Sequence, residues 1–540
     1  MRLFPNRSGH ALVRLAQGCA ALGAVAVIAG CGNNYRPVVT PVNSNGPAAQ
    51  PVSWAVAVSA PSPSTAGQVT IIDYSGDSIL VEAPIGIGPT TFTLDSQGSN
   101  GYTINSDGTI TNFPLSTSLQ QKQESTSTLP PTAQPLNMFA ASNGVFINDL
   151  SGNQEDLFTN SPASFKLAVP LAPTPVFTTG PGSSAAREYV LSQNFTDATG
   201  LVCNLSPQTA PANGVATPIE LNSDTADPVI PVGKCPVYAV QTSDQKRLLV
   251  MNRGDDTVTV INSQNNGLDS CTPFQNQNGQ WVTCHPTLPL SLGAVSSINT
   301  ACTLNNLTLP PCGGPPNGTA GMTNKAGPIY AEYSSANSQL VVADFDGGTI
   351  SVIDLSTDEY GNDYNTYANP TCTAAGVTSY ANCGAITGGF GTTYTIPVGN
   401  NPASVTVLAD GTRAYTANQT DGTVSIVDLA DHILEKTLAV VGHPRTVVST
   451  ENSLYGKVYA ASPDSPFITI LQTETDLVDT TILLEGNTVD VRTTTQNGNS
   501  GNNNYTSRVP GYGQPCNLPP ALMVSTYGAN YTLANCKALP

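Results

Sequence analysis

Cysteine is the residue type whose number and spacing most clearly suggest chemistry in this sequence. The 540 residues contain 12 cysteines, and ten of them form five pairs of sequence neighbours. These pairs are Cys203 and Cys235, Cys271 and Cys284, Cys302 and Cys312, Cys372 and Cys383, and Cys516 and Cys536. In an exported chain this spacing predicts five local disulfides, although it does not fix their connectivity. Zinc is the alternative, but no CxxC pair is present and only His285, His432 and His443 lie beyond residue 30, so we predict no metal site.

The first 30 residues have the pattern of an export signal. Three arginines precede an apolar stretch at 19–31 that is too short to span a bilayer as a mature helix. The end of this stretch, Val27-Ile28-Ala29-Gly30-Cys31, resembles a bacterial lipobox, in which small residues precede a cysteine that receives diacylglycerol. The resemblance implies a signal peptide at 1–30 and lipid attachment at Cys31. A plain secretory signal that happens to end in cysteine is the alternative.

The segment that follows Cys31 has the composition of a tether. Residues 31–52 are rich in Asn, Pro, Val and Gly and offer little to bury. The residue after Cys31 is Gly32 rather than Asp, which by resemblance to the lipoprotein sorting pattern argues against retention at an inner membrane. We therefore expect an outer-membrane lipoprotein, on either the periplasmic or the surface side.

Charge and composition exclude several classes of protein. Lys and Arg number 19 against 37 Asp and Glu, which gives a formal net charge of -18 and makes nucleic acid an improbable partner. Charged residues are only 10% of the chain, and 48 Gly and 43 Pro disfavour coiled coils and long surface helices. A hydrophobic content of 39% still allows a sizeable core. These values favour a large β-structure.

An internal repeat predicts the fold. Residues 247–263, 339–355 and 413–429 align with one another, and 101–113 is an earlier copy. In each copy Val or Ile alternates with Ser or Thr, which is the period of a half-buried strand. A turn rich in Asp and Gly separates two such runs, as expected for a β-hairpin. The repeat is therefore built from antiparallel strands.

A proline recurs at the start of each repeat unit, where a strand loses no hydrogen-bond donor. The corresponding residues are Pro89, Pro135, Pro175, Pro236, Pro328, Pro402 and Pro444. The shortest spacings are 40, 42 and 46 residues, which match the length of about 40 to 45 residues of a four-stranded propeller blade. The three longer spacings contain cysteine pairs, so we expect disulfide-pinned loop insertions, the largest at about 264–324 and 356–392.

The unit at 398–429, VGNNPASVTVLADGTRAYTANQTDGTVSIVDL, resembles the YVTN β-propeller repeat. Tyr415-Thr416-Ala417-Asn418 stands where that family has Tyr-Val-Thr-Asn. The match covers the units that begin at Pro236, Pro328, Pro402 and Pro444, about half of the chain. The resemblance implies a bacterial propeller with seven blades, whereas counting units in this sequence gives eight.

A copy of the third strand near the start of the repeat region predicts how the ring closes. Residues 69–73 copy Val424–Asp428, so the chain enters its ring in the middle of a blade. The missing innermost strand must then come from the C-terminal region, where 519–526 is our candidate. We predict an all-β chain whose residues 53–540 form one propeller of seven or eight four-stranded blades, closed by pairing of N- and C-terminal strands.

The two largest insertions suggest a recognition surface. Both follow a third strand, and loops after third strands share one face of a propeller. We therefore expect one crown of loops that recognises a partner, since function in such folds lies on loops held by a rigid scaffold. Decoration that merely shields the ring is the alternative.

Three groups of polar residues are further candidates. A run of carboxylates that could bind calcium comprises Asp354, Asp358, Glu359 and Asp363, but it lacks the DxDxDG spacing and fits a solvated loop better. Asp256, Asp346 and Asp421 recur in hairpin turns, which fits turn chemistry. Arg253-Gly254-Asp255 spells an adhesion tripeptide within one of those turns.

Catalytic motifs are absent from the sequence, with no GxSxG, HExxH or phosphate-binding glycine loop. We predict a binding scaffold of the cell envelope, anchored to the membrane through Cys31, with a protein or glycan partner and no cofactor. A lactonase-like hydrolase or quinoprotein-like oxidoreductase is the first alternative, because YVTN repeats resemble those of several redox propellers. A structural component of a surface assembly is the second alternative.

Overall fold

The chain folds into eight four-stranded antiparallel blades arranged as a β-propeller. This computed structural model describes residues 54–494 except 75, 116–123, 142, 161, 181–186, 197–201, 206, 271–273, 276–280, 283–285, 291–324, 358–364, 368–385 and 451. The all-β class is confirmed, and eight blades agree with the count of repeat units rather than with the seven that the family resemblance implies.

Blade 1 closes the ring. It contains β1 (Trp54–Ala60), β2 (Ala66–Asp73) and β3 (Ser78–Ile87), and its innermost strand is β38 (Asn487–Thr493) from the far end of the described chain. The predicted entry in mid-blade is therefore confirmed, because residues 69–73 lie in the third strand of this blade.

The predicted closing strand at 519–526 is wrong, because β38 holds the innermost position; residues 519–526 lie outside the described residues. Asp490 and Arg492 interrupt the apolar pattern of β38 and hid this strand in the sequence. In the folded blade the guanidinium of Arg492 donates to Asp490 Oδ2, at 3.0 Å from Nε and 2.7 Å from Nη2.

Blades 2–8 follow in chain order, and their strands are given from the innermost outward. Blade 2 has β4 (Pro89–Leu94), β5 (Asn100–Asn105), β6 (Thr109–Pro114) and β7 (Ser125–Thr128). Blade 3 has β8 (Pro135–Ala141), β9 (Gly144–Asp149), β10 (Gln154–Phe158) and β11 (Phe165–Pro170). Blade 4 has β12 (Pro175–Thr179), β13 (Arg187–Ser192), β14 (Val215–Glu220) and a divided outer strand, β15 (Thr225–Ala226) and β16 (Ile230–Pro231).

The second half of the ring repeats this order. Blade 5 has β17 (Pro236–Gln241), β18 (Arg247–Asn252), β19 (Thr257–Asn262) and a divided outer strand, β20 (Gly267–Leu268) and β23 (Thr287–Pro289). Blade 6 has β24 (Pro328–Ser334), β25 (Gln339–Asp344), β26 (Thr349–Asp354) and β29 (Thr393–Pro397). Blade 7 has β30 (Pro402–Val407), β31 (Arg413–Asn418), β32 (Thr423–Asp428) and β33 (Ile433–Ala439). Blade 8 has β34 (Thr446–Ser449), β35 (Lys457–Ala461), β36 (Phe467–Gln472) and β37 (Leu477–Leu483).

The recurring prolines mark the innermost strands. Six of the seven are the first residue of such a strand, and Pro444 lies two residues before the seventh, at Thr446. We call the side of the ring where innermost strands begin the N-face, and the side where they end the C-face. Loops between second and third strands and between blades lie on the N-face, and loops between first and second or third and fourth strands lie on the C-face.

The insertion predicted after the third strand of blade 5 is divided in the structure. After a short turn the chain forms β20, leaves the sheet, and returns as β23 to pair with the same strand, β19. The excursion includes the two-stranded pair β21 (Phe274–Gln275) and β22 (Trp281–Val282). Leu290 and Gly327 then both bond to Asp256 in an N-face turn, so the segment between them begins and ends on the N-face.

The insertion in blade 6 keeps its predicted position between the third and fourth strands. It contains the pair β27 (Asn365–Tyr367) and β28 (Ile386–Gly389). The fourth strand of blade 5 thus lies within the predicted insertion. The single crown stays a prediction, because 291–324 and 368–385 lie outside the described residues.

The core lies between the blades. Apolar residues of one blade pack on the next, as Val424 and Ile426 of blade 7 do against Val447 and Val458 of blade 8. Each Å² of apolar surface buried in these contacts stabilises the fold by about 25 cal/mol, and this burial holds the ring together. The described helical structure includes α1 (Val202–Leu205) and a 3-10 turn at Pro207–Thr209. No described helix is long and apolar enough to cross a membrane.

Candidate functional site

The predicted pair Cys203 and Cys235 forms a disulfide, with 5.5 Å between the Cα atoms. Cys203 lies on α1 in the N-face loop of blade 4, and Cys235 directly precedes β17 of blade 5. Both cysteines are buried. The bond therefore fastens the longest described loop of blade 4 to the start of the next blade. Other candidate cysteines fall outside the described residues: Cys31, Cys271, Cys284, Cys302, Cys312, Cys372, Cys383, Cys516 and Cys536.

The adhesion tripeptide is not available for recognition. Arg253 is 1% exposed, and its guanidinium forms an ion pair with Asp346 of blade 6, at 2.7 Å from Nη2 to Oδ1 and 3.1 Å from Nε to Oδ2. It also donates to the carbonyl of Cys203 and lies over the ring of Phe345. The arginine therefore ties blade 5 to blade 6.

Two of the three predicted turn carboxylates, Asp256 and Asp421, accept hydrogen bonds from backbone N–H groups, whereas Asp346 pairs with the side chain of Arg253. Asp421 accepts a hydrogen bond of 2.7 Å from the N–H of Asn400, and Asp255 accepts one of 2.6 Å from the N–H of Lys234. Each bond fixes the chain just before an innermost strand. Asp256 accepts the N–H of Gly327 at 2.8 Å and thereby joins blade 5 to blade 6.

The acidic run shows a local role at its described end. Asp354 Oδ1 accepts hydrogen bonds from the backbone N–H and the hydroxyl of Ser356. Asp358, Glu359 and Asp363 lie outside the described residues. Within the described ranges no group of three or more His, Cys, Asp or Glu side chains is placed to hold a metal ion.

The two described histidines are on opposite faces. His432 lies in a C-face turn of blade 7 and stacks on Tyr394, with 3.7 Å between ring centroids. His443 lies on the N-face of blade 8, where its Nδ1 is 2.5 Å from Asp464 Oδ2. They cannot share a ligand. His285 lies outside the described residues.

Sequence reasoning missed the role of the asparagine that ends the second strand of several blades. Asn418 Nδ2 donates to Thr423 Oγ1 at 3.0 Å and to Ser425 Oγ at 2.8 Å on the next strand. Asn105 and Asn252 make the same two bonds in their blades. The recurring hydroxyls two residues apart on the third strand were the available signal.

Blade 6 has a carboxyl group where these blades have an amide. Asp344 Oδ2 accepts hydrogen bonds from Thr349 Oγ1 at 3.0 Å and from Ser351 Oγ at 2.6 Å. Burial raises the pKa of Asp344 to about 8, and the two hydroxyl donors offset only part of this shift. The group is therefore mostly protonated at neutral pH.

The tyrosine in the middle of the second strand also serves the ring. The hydroxyl of Tyr415 donates to Asp476 in a C-face turn of blade 8, and Arg413 forms an ion pair with the same carboxylate. Tyr189 and Tyr102 reach the corresponding turns of their following blades, at Asn266 and Asn160. The polar residues that recur in the repeat are thus engaged in holding blades together.

One C-face loop instead presents apolar side chains to solvent. We define the blade 8 tip as residues 452–455, in the loop between β34 and β35. Leu454 is 59% exposed and Tyr455 is 65% exposed. Leu477 and Val478, which begin the outermost strand at the same end of the blade, are also exposed.

The blade 8 tip is rigidly held. Asn452 Oδ1 accepts the N–H groups of Leu454 at 3.0 Å and of Tyr455 at 3.1 Å, which makes a tight turn. The N–H of Ser453 donates to Asp410 of blade 7 at 2.8 Å, and Thr473 Oγ1 donates to the carbonyl of Asn452 at 2.9 Å. These four hydrogen bonds fix the backbone from both sides, so the exposed leucine and tyrosine extend from a defined loop conformation.

This arrangement suits binding. A Tyr and a Leu on a fixed backbone can bury apolar area with little loss of backbone freedom, and Tyr adds a hydroxyl for a hydrogen bond. Sequence reasoning missed this surface, because 450–456 carries no repeated motif and its exposure depends on the blade geometry.

Comparisons with known proteins address the fold. No protein-family model matches the chain, and no curated protein matches its sequence. The dihydro-heme d1 dehydrogenase NirN, solved in complex with DHE, is 12% identical with a TM-score of 0.52, over 83% of this chain and 77% of NirN. Apo AztD from Citrobacter koseri is 11% identical with a TM-score of 0.48, over 82% of this chain and 97% of AztD. A putative 6-phosphogluconolactonase from Bacteroides fragilis is 12% identical with a TM-score of 0.44, over 83% and 99%. At these identities the likeness to NirN concerns the fold alone.

Proposed function

We propose that this protein is a lipid-anchored extracytoplasmic β-propeller that binds a protein or glycan of the cell envelope through the blade 8 tip. The exposure of Leu454 and Tyr455 on a loop fixed by four hydrogen bonds carries this proposal. The other conspicuous polar motifs with described side chains are occupied in structural contacts, whereas these two side chains project into solvent.

The N-terminal residues and the disulfide support the location. The lipobox-like residues before Cys31 imply lipidation, and the buried Cys203–Cys235 bond fits an oxidising compartment. Metabolic labelling with a fatty acid tests the anchor. Label is expected on the wild-type protein and not on Cys31→Ser, and equal labelling of both would overturn the lipid anchor while leaving the binding proposal intact.

Photo-cross-linking in intact cells tests the binding proposal. A photoreactive amino acid replaces Tyr455 in one variant and Val441, exposed on the N-face of the same blade, in the control. One dominant cross-linked species at 455 and none at 441 is expected, and its enrichment should be lost when Leu454→Ser is added. Equal patterns at both positions would contradict the proposal.

Analysis of the purified protein separates the other functional classes. A stoichiometric quinone or metal, or hydrolysis of a lactone, would establish the propeller-type enzyme instead. Cross-links from both faces into one defined complex would establish a structural component of a surface assembly.

A further inference from the structure

The eight interfaces between blades share one pattern of side chains, and one interface departs from it. At each interface the third strand of one blade faces the second strand of the next, and the positions that can be compared between interfaces are the second residue of each of these two strands, with Val69, which aligns with Val424, taken in the longer strand β2. Seven interfaces use aliphatic residues or glycine at these positions: Ile110 and Val145, Ala216 and Leu248, Val258 and Leu340, Ile350 and Ala414, Val424 and Val458, Ile468 and Ala55, and Val69 and Gly101. At the interface of blades 3 and 4 the strand registers place Glu155 and Glu188 there.

Two further residues beside the glutamates are also polar. The interface of blades 7 and 8 has Ala417 on the second strand and Val447 on the innermost strand. The equivalent residues between blades 3 and 4 are Asn148 and Thr178. All four polar side chains of this interface are 0% exposed. The substitution is therefore a coherent change of one interface from apolar to polar.

The cluster is incompletely hydrogen-bonded. Thr178 Oγ1 donates to Glu188 Oε2 at 3.5 Å. Neither carboxylate oxygen of Glu155 has a hydrogen-bond partner, nor does Glu188 Oε1. The Nδ2 group of Asn148, on the strand directly opposite Glu155, is likewise buried and without an acceptor. An ionised buried carboxylate without such partners is costly, whereas a protonated one is tolerated.

No cation compensates the two glutamates. Neither forms an ion pair within the part of the chain that the structure describes, and their interface neighbours Val169, Val190 and Ile219 are apolar. Burial raises the pKa of both carboxyl groups well above the usual range, and the hydroxyl of Thr178 offsets only part of this shift at Glu188. The charge of Glu155 raises the pKa of Glu188 further, and Asp156 and Asp224 act in the same direction.

The nearest cations are already paired elsewhere. Lys166 binds Asp224 in an exposed ion pair, and Arg187 binds Glu220 on the far side of its strand. Among the described residues, the charged groups that shift the pKa values of the two glutamates are Glu155, Asp156 and Asp224, which are all acidic.

We propose that the interface of blades 3 and 4 is a proton-dependent seam, closed when Glu155 and Glu188 are protonated and the first part of the ring to open when they ionise. In the closed seam Glu155 and Glu188 keep their protons. In an opened seam the same carboxyl groups are exposed to solvent and release them. Closure is thus favoured at acidic pH and weakens as pH rises toward the raised pKa values. The seam gives the ring a response to pH that is located at one interface between blades.

Amide hydrogen exchange of the full-length protein between pH 6 and 8.5 tests the seam, after correction for intrinsic exchange rates. The opening constant of β10 and β13 should rise up to about tenfold per pH unit for each proton released. Strands β32 and β35, at the matched aliphatic interface, should show no such rise. In Glu155→Gln/Glu188→Gln the rise at β10 and β13 should disappear. A rise that persists in this variant, or no rise in the wild-type protein, would overturn the proposal.

A second measurement covers the case in which the double variant fails to fold. Asp344→Asn removes a further described carboxyl group whose pKa is raised, to about 8, whereas burial raises the pKa of Asp156 only to about 6. Most of the infrared band of protonated carboxyl groups that this variant shows at pH 7 should therefore come from the seam. The band should shrink when Glu188→Gln is added. Absence of the band from the Asp344→Asn protein would overturn the proposal without any stability measurement.

Discussion

The backbone N–H of Trp54 donates a hydrogen bond of 2.8 Å to Thr494 Oγ1, although 440 residues separate the two. The N–H of Thr494 returns a bond of 2.9 Å to the carbonyl of Trp54. This exchange continues the pairing of β1 with β38, so one sheet contains both ends of the described chain. Closure of this kind removes two exposed strand edges and makes the blades unfold together.

Two truncations test which strand closes the ring. A chain that ends after Thr494 keeps β38 and loses 519–526, and we expect it to unfold cooperatively with a Tm within a few degrees of the full-length value. A chain that ends after Gly486 exposes the edge of β1, and we expect aggregation or loss of the cooperative transition. Circular dichroism and gel filtration distinguish the two. Cooperative unfolding of the shorter chain at an unchanged Tm would contradict closure by β38.

The ion pair of Arg253 with Asp346 should contribute strongly to stability because the guanidinium is buried. Asp346→Ala leaves that charge with a backbone carbonyl as its remaining acceptor, and we expect a loss of about 3 kcal/mol in the free energy of unfolding. Lys166→Met, which removes an exposed ion pair, serves as the control and should cost less than about 1 kcal/mol. Urea denaturation measures both. Equal small losses would mean that Arg253 gains solvent or another acceptor.

The disulfide between Cys203 and Cys235 should stabilise the protein through the loop it closes. The separation of 32 residues corresponds to about 3 to 4 kcal/mol in the chain-entropy model. The variant Cys203→Ala/Cys235→Ala should lose this amount in urea denaturation, and peptide mapping without reduction should recover the two cysteines in one linked peptide. Recovery of Cys203 linked to another cysteine would refute the pairing.

The architecture was predictable because it repeats. Residues that recur at the same place in several units, such as Pro236, Pro328 and Pro402, fixed the blade boundaries. The closing strand was not predictable, because Asp490 and Arg492 satisfy each other only in the folded blade and look like surface residues in the sequence. The insertion of blade 5 was misplaced for a related reason, since the two short pieces of its outer strand carry no alternating pattern.

The candidate site was less accessible to sequence reasoning. Repetition identifies residues that support the blade structure. Asn418 and Tyr415 are such residues, since one joins two strands of a blade and the other joins two blades. Leu454 and Tyr455, and the glutamates at 155 and 188, are departures from the repeat in single blades. Weak similarity between residues 86 and 230 and the later units hid the glutamates until the strand registers aligned the blades.

Asp344 should make the stability of the protein depend on pH. Its pKa is about 8 in the folded protein and near 4 in an unfolded chain, so between these values the folded state holds a proton that the unfolded state releases. The free energy of unfolding should therefore fall as pH rises from about 4 to 8, by at most about 1.4 kcal/mol per pH unit from this group. Asp344→Asn introduces the amide that blades 2, 5 and 7 have at this position and should remove this contribution.

The matched reverse change is Asn418→Asp in blade 7, where the same two hydroxyl positions surround the side chain. Relative to wild type, Asp344→Asn should gain stability from pH 5 to pH 8 and Asn418→Asp should lose it over the same range. Urea denaturation at pH 5, 6.5 and 8 gives the three free energies for each protein. If the free energy of unfolding varies with pH in the same way for Asp344→Asn and wild type, the carboxyl group of Asp344 is ionised in the folded blade. The hydrogen bonds donated by Thr349 and Ser351 would then outweigh the cost of burial.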